Sequence, residues 1–166
     1  MSRNNRGSGT FDDRLVRAWC RMIMHLDHVT VVVRDVAKAK EFFALLGFKE
    51  EKSVVISGDM FSRYMGVEGI EAEHVTLVST RSSPRFEIQL LKYHRPHPPT
   101  VSDAANLEKL GFNHICFAVK DIEAEVKRLT SHGVALRNDV MTFHSRKLVF
   151  LTGPEGITVE LAEWQD

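Results

Sequence analysis

The sequence predicts an α+β fold made of two β-α-β-β-β modules, and an internal repeat is the main observation behind this prediction. The segments LDHVTVVVRD and FNHICFAVKD begin at Leu26 and Phe112. A histidine, an aspartate and a later glycine recur between the two copies at a constant offset, since 114 − 28, 121 − 35 and 133 − 47 all equal 86. An offset that stays constant over the length of a strand and a helix indicates a duplicated unit.

The first strand of each copy shows the alternation of a β-strand. In the first copy, valines at alternate positions share one face, and His28 lies on the other. The face with His28 also carries Leu26 and Val32, so both faces are largely apolar. We therefore expect this strand to be covered by protein on both sides.

A helix and three further strands follow in each copy. Asp35 and Asp121 are suited to cap the helices at their N-termini, and Gly47 and Gly133 to end them. The later strand-like segments are FKEEKSVVIS, AEHVTLVST and RFEIQLLKY in the first copy and VALRNDVMTF, RKLVFLTG and ITVELAEW in the second. The first copy also contains an insert, GDMFSRYMGVEGIE, for which we expect a short helix or a flexible loop.

These segments divide the chain into four parts. Residues 1–24 form a polar tail that we expect to be disordered or to contain a short helix. Residues 25–94 form the first module, residues 95–110 the connector, which holds three of the five prolines, and residues 111–166 the second module. The expected architecture is one curved mixed sheet, or half-barrel, around a cleft.

Composition excludes several classes of function. Lys and Arg together number 22, as do Asp and Glu, so the net charge gives no reason to expect nucleic acid or an anionic membrane as a partner. No apolar run approaches the length that spans a membrane. The two cysteines, Cys20 and Cys116, argue against a disulfide framework and favour a reducing compartment, which we expect to be the cytoplasm.

Four polar side chains occupy repeat-related positions in the predicted strands. EIQLLKY aligns with TVELAEW in the last strands, which pairs Gln89 with Glu160, as His28 pairs with His114 in the first strands. If the modules pack as pseudo-twofold mates, all four point into one concavity. Two imidazoles, an amide oxygen and a carboxylate suit Zn, Ni, Co, Mn or Fe(II). The alternatives are hydrogen-bonded core histidines and, in place of Gln89, its same-face neighbour Glu87.

The sequence resembles the vicinal oxygen chelate superfamily, which includes glyoxalase I, methylmalonyl-CoA epimerase, extradiol dioxygenases and the fosfomycin and bleomycin resistance proteins. The resemblance rests on LDHVTVVVRDVAKAKEFFALLGF, GFNHICFAVKDIEAEVKRL and FLTGPEGITVELAEW. It implies paired modules that form a cleft, with metal ligands at His28, Gln89, His114 and Glu160. Bacterial-type glyoxalases have Glu at the position of Gln89, whereas epimerase-like members can carry Gln.

The resemblance implies a metal-dependent lyase or isomerase that removes a proton next to a carbonyl of a small-molecule substrate. With a single carboxylate ligand, a divalent ion keeps a formal charge near +1, which stabilises an enediolate or enolate. Glu160 is the expected ligand and proton acceptor, and Glu68 or Glu71 is a candidate second base. The family often dimerises, so a homodimer is expected.

Other activities within the same family stay open. An Fe(II) extradiol dioxygenase would use His28, His114 and Glu160 as a facial triad. A thiol transferase acting on an antibiotic, or a non-enzymatic protein that binds a small molecule, would use the same fold differently. The face expected to line the pocket also carries Thr30, Val32, Leu91, Tyr93, Phe112, Cys116 and Trp164. We expect His74 at a solvated rim.

Overall fold

The computed structural model describes residues 24–99 and 102–165, so the predicted tail lies outside the described residues except for Met24. The elements in this part of the chain are β1 (His28–Val32), α1 (Val36–Leu45), β2 (Phe48–Ser57), α2 (Asp59–Met65), β3 (Glu71–Ser79), β4 (Glu87–Arg95), β5 (His114–Ala118), α3 (Ile122–Ser131), β6 (Met141–Phe143), β7 (Arg146–Thr152), a 3-10 turn (Pro154–Gly156) and β8 (Thr158–Trp164). The helices among these elements are all too short or too polar to cross a bilayer.

The strands form two four-stranded mixed sheets, with the orders β1-β4-β3-β2 and β5-β8-β7-β6. In each sheet the first strand runs parallel to the last strand of its module, and the other pairs are antiparallel. The α+β class and the two β-α-β-β-β modules are thus confirmed. Neither sheet closes into a barrel, since each ends in two unpaired edge strands within the described residues.

The ends of the two long helices show the repeat in atomic detail. The Asp35 carboxylate accepts from the backbone N–H three residues later at 3.0 Å, and Asp121 does the same at 2.9 Å. These bonds satisfy donors that a helix leaves free at its first turn. After the helices, Gly47 and Gly133 adopt φ values of 86° and 83°, a left-handed conformation that ends a helix readily only with glycine.

The apolar core joins the modules on their helix sides. Phe42 of α1 and Leu46, which caps the C-terminus of this helix, pack against buried residues of both modules, as do Ile115 and Phe117 of β5. The valine face of β1 belongs to this core, with Val33 almost fully buried. The opposite face of each sheet, which carries the histidines, therefore lies outside the shared core.

The expectation that β1 is covered on both sides is wrong. Leu26 is 66% exposed and Val32 is 43% exposed, and both lie on the face with His28. Helix α1 covers only the valine face. Apolar residues that line an open cavity have the same sequence pattern as residues packed beneath a helix, which explains the error.

The second module is less regular than its sequence suggests. Of the strand-like segment VALRNDVMTF, only Met141–Phe143 forms a strand, and an isolated pairing joins Leu136 to Leu151. The insert of the first module contains a helix, α2, which follows β2 and packs beside Ile56 and Leu91. The two modules therefore share a topology but differ in the length of their second strand and in the segment that follows it.

Candidate metal centre

The strand register places the candidate ligands equivalently in the two modules. In the parallel pairs, His28 lies opposite Glu87 and His114 lies opposite Thr158. The polar residue two positions further along the last strand then lies diagonally from the histidine on the same face. This rule gives the pairs His28 with Gln89 and His114 with Glu160.

The second module brings its two candidate ligands into direct contact. The His114 Nε2 atom lies 3.3 Å from the Glu160 Oε2 atom, and the Glu160 side chain is only 13% exposed. The His114 ring also packs against Phe150, with 5.2 Å between ring centroids. A ring nitrogen and a carboxylate that converge in this way are donors that a divalent metal ion accepts together.

Each candidate histidine is oriented by the residue immediately before it, a feature that was missed from the sequence. Asp27 Oδ1 accepts from His28 Nδ1 at 2.7 Å, and this hydrogen bond lowers the pKa of Asp27. Asn113 Oδ1 accepts from His114 Nδ1 at 2.8 Å, while its Nδ2 donates to the Leu107 carbonyl at 2.7 Å and so fixes the amide orientation.

Because Nδ1 is the donor in both rings, each Nε2 keeps a lone pair for a metal ion. The sequence already contained this pattern, since Asp27 and Asn113 are separated by the same repeat offset, 113 − 27 = 86. An Asp or Asn before each histidine is thus part of the repeat.

Gln89 lies in a network of hydrogen bonds on the open face of the first sheet. Its Oε1 accepts from His74 Nε2 at 3.1 Å and from Thr30 Oγ1 at 3.5 Å, and its Nε2 donates to Glu87 at 3.1 Å. The other Glu87 oxygen accepts from Arg85 Nε at 2.7 Å. Glu87 is therefore engaged on both oxygens, and His74 lies inside the cavity and not at the solvated rim that was expected.

The four candidate ligands are present as two pairs within one chain. His28 and Gln89 belong to the first sheet, whereas His114 and Glu160 belong to the second. In the described part of the chain, no three or more His, Cys, Asp or Glu side chains lie close enough together to hold a metal ion. The expectation that all four side chains share one concavity stays a prediction, and their donor types suit a divalent ion.

A cavity of about 450 Å³ lies in front of the first pair. His28 and Gln89 line it together with Thr30, Leu91 and the unexpected His74. The remaining residues of the expected pocket face are distributed elsewhere. Val32 and Tyr93 line a neighbouring cavity, Phe112 lines a third, Cys116 lies opposite Glu160, and Trp164 packs beneath Arg146.

The environment of Cys116 favours its protonated thiol. Desolvation and then a hydrogen bond to Glu160 raise the pKa of its thiol to about 12, so the thiol stays protonated at neutral pH. Neither candidate second base lines the cavity with His28, and Glu71 instead forms an ion pair with Arg95 where β3 begins and β4 ends.

Fold and site together define a duplicated α+β module with paired histidine and oxygen donors on the open face of each sheet. A sequence model of the Glyoxalase/Bleomycin resistance protein/Dioxygenase superfamily matches residues 25–161, and the chain belongs to this superfamily. Many members of the superfamily are enzymes, members bind small molecules, and members commonly bind a divalent metal ion.

Two curated relatives show how far the sequence similarity extends. The chain is 26% identical over 146 residues to the uncharacterized protein YaeR of Escherichia coli, covering 85% of this chain and 97% of YaeR. It is also 26% identical over 142 residues to lactoylglutathione lyase of Schizosaccharomyces pombe, covering 82% of this chain but 46% of that enzyme. The chain thus spans about half the length of the lyase.

Solved structures show the same fold. A glyoxalase family protein from Bacillus cereus superposes with a TM-score of 0.77 at 28% identity, covering 87% of this chain and 96% of the other. The fosfomycin resistance protein FosX from Listeria monocytogenes, in complex with Mn(II) and sulfate, superposes with a TM-score of 0.55 at 17% identity, covering 86% and 93%. At such low identity the second likeness concerns the fold alone.

Proposed function

We propose that the protein is a divalent-metal-dependent lyase or isomerase of the glyoxalase I or methylmalonyl-CoA epimerase type. It removes a proton next to a carbonyl of a small-molecule substrate. The observation that carries this proposal is the pair of histidines, His28 and His114, whose Nδ1 atoms are both held by a preceding Asp or Asn. Such hydrogen bonds are typical of metal-binding histidines.

The proposed ligands are His28, Gln89, His114 and Glu160, and the ion is Zn, Ni, Co, Mn or Fe. The two imidazoles would bind through Nε2, Gln89 through Oε1 and Glu160 through its carboxylate. When bound, the ion acts as a Lewis acid that stabilises negative charge on a carbonyl oxygen of the substrate. The FosX structure, which contains Mn(II), supports a metal-dependent reading of this fold.

Glu160 is the proposed proton acceptor. Its carboxylate is largely buried beside His114 and accepts from the Cys116 thiol. An ionised carboxylate within hydrogen-bond reach of a substrate can take its proton. Gln89 cannot take this role, because an amide does not accept a proton at neutral pH.

We further propose that each site is completed between two copies of the chain, with His28 and Gln89 from one copy and His114 and Glu160 from the other. The separation of the two pairs on different sheets supports this arrangement. Exposed apolar side chains on the second sheet would also be covered in a homodimer, and these are Met141, Phe143 and Trp164. The free thiol of Cys116 is consistent with a cytoplasmic enzyme.

Elemental analysis of protein purified without added metal or chelator tests the ligand assignment. We expect about one metal equivalent per chain in the native protein and a large loss in the variants His114→Ala and Glu160→Gln. His132→Ala, at the end of α3, is the matched control and should retain the metal. Full metal content in both ligand variants would refute the assignment.

Mixing two inactive variants tests the shared site. If each site is shared, His28→Ala mixed with His114→Ala forms heterodimers with one intact site, which restores about one quarter of the native metal content. Mixing His28→Ala with Gln89→Ala restores nothing, because both changes affect the same half-site. Absence of recovery in the first mixture would place each site within one chain.

The reaction class is tested by exchange of solvent deuterium into carbonyl thioesters and hemithioacetals. Exchange that needs the metal and Glu160 supports the lyase or isomerase. Iron as the sole metal, with oxygen consumption on catechols and no exchange, would instead support the dioxygenase, which needs only His28, His114 and Glu160. Failure to take up any metal would leave a small-molecule-binding protein.

A further inference from the structure

Helix α2 has no counterpart in the second module, and it does not build the core. None of its residues is buried, whereas α1 and α3 each bury apolar residues against a sheet. Phe61 and Met65 instead pack at the edge of a small cluster that contains Ile56 and Leu91. The helix thus places partly exposed apolar side chains over the open face of the first sheet.

The cavity of about 450 Å³ between α2 and this sheet has two chemically distinct parts. Imidazole, amide and hydroxyl groups form one part, and these come from His28, Thr30, His74 and Gln89. The other part is largely apolar and is formed by Val54, Ile56, Phe61, Tyr64, Met65 and Leu91. None of the described residues that line the cavity is Lys, Arg, Asp or Glu.

We propose that this cavity binds a neutral apolar substituent of the substrate. The substrate class is then a carbonyl compound that carries a short alkyl or an aryl group, with its oxygens towards His28 and Gln89 and its apolar group beneath α2. The volume is within the range of small-molecule pockets. No side chain beneath α2 offers an ionic partner to a charged substituent, which disfavours such a substituent in the apolar part of the cavity. The orientation rests on the proposed metal-binding role of His28 and Gln89.

Hydroxamic acids of increasing chain length provide the probe, since they bind metal ions through two neighbouring oxygens. The experiment is calorimetric titration of the metal-loaded full-length protein with acetohydroxamic, butyrohydroxamic, hexanohydroxamic and benzohydroxamic acid. Affinity should rise about fourfold with each methylene group that becomes buried. Equal affinity for all four hydroxamic acids would overturn the inference about the apolar group but would not contradict the proposed metal site.

Two variants of the same helix locate the effect. Met65→Trp narrows the apolar part of the cavity and should abolish the gain in affinity from longer chains. Met60→Trp is the matched control, because Met60 is 64% exposed and does not line the cavity, and it should behave like the native protein. If longer chains no longer improve affinity in both variants, or still improve it in both, the proposed position of the apolar group is contradicted.

A second titration distinguishes failure of this inference from failure of the proposed function. If acetohydroxamic acid does not bind at all, the metal site is what has failed. The cavity is then tested by adding 1-hexanol to metal-free protein labelled with ¹³C in its methionine methyl groups. A concentration-dependent shift of the Met65 methyl signal, without one at Met60, supports an apolar binding site, and absence of that shift overturns it.

Discussion

Replacing Asp27 by Ala should weaken metal binding without unfolding the protein. Asp27 accepts the Nδ1 hydrogen of His28 and so holds the ring with Nε2 free. Its side chain is 70% exposed, and it is not part of the apolar core. The substitution should therefore change the orientation and basicity of the proposed ligand His28 and leave the packing of the module unchanged.

The expected size follows from the surroundings of the hydrogen bond. Removing a partner of this kind lowers metal affinity by about tenfold to a hundredfold in metal sites generally. Because Asp27 and His28 are both substantially exposed, water competes for the ring, and we expect a loss of about tenfold. Asn113 is less exposed and donates a hydrogen bond to the Leu107 carbonyl, so Asn113→Ala should lower metal affinity by closer to a hundredfold.

The assay is competition for Co²⁺ or Zn²⁺ against a chelator of known affinity, with circular dichroism as the check on folding. Asp27→Asn is the matched control, since Asn fills the same position in the second module and offers the same acceptor oxygen. The hydrogen bond to His28 holds the pKa of Asp27 below its usual range, so its carboxylate stays ionised and able to accept throughout neutral pH. Unchanged metal affinity in both Asp27→Ala and Asn113→Ala would refute the orienting role.

Three further predictions concern other parts of the molecule. Cys116 should react with iodoacetamide at pH 8 at least about ten times more slowly than a free cysteine, because its raised pKa keeps the thiol protonated. Peptide-resolved mass spectrometry measures this rate, and Glu160→Gln should increase the rate. Phe43→Ala should lower the free energy of unfolding by about 3–5 kcal/mol in urea titrations, since Phe43 is fully buried, and an unchanged free energy of unfolding would contradict its place in the core. Asp121→Ala should cost about 0.5–2 kcal/mol through loss of the helix cap, and an unchanged melting temperature would contradict the assigned cap.

The repeat made much of the fold predictable. Asp35, Gly47 and their counterparts act through local geometry, so their roles could be inferred from neighbouring residues alone. The equivalence of Gln89 and Glu160 also depends only on the strand register, which the period of two makes visible.

Contacts between distant elements could not be predicted in the same way. His74 reaches Gln89 because of how β3 pairs with β4, and the insert before β3 obscures that register in the sequence. Val32 is exposed because α1 covers the other face of the sheet. A valine in the sequence does not show which face of its strand a helix will cover. The position of one proposed ligand pair relative to the other likewise depends on how the two modules pack.

The shared core on the helix side has a consequence for the origin of this chain. Phe42 and Leu46 find their apolar neighbours partly in the other module, as do Ile115 and Phe117. A half-length ancestor with one module would have left the equivalent side chains in water, and association with an identical copy would have covered them. Gene duplication and fusion would make such an association permanent and free each half to diverge. The two halves differ in α2, which only the first has among the described residues, and in the amide of Gln89 where the second has the carboxylate of Glu160.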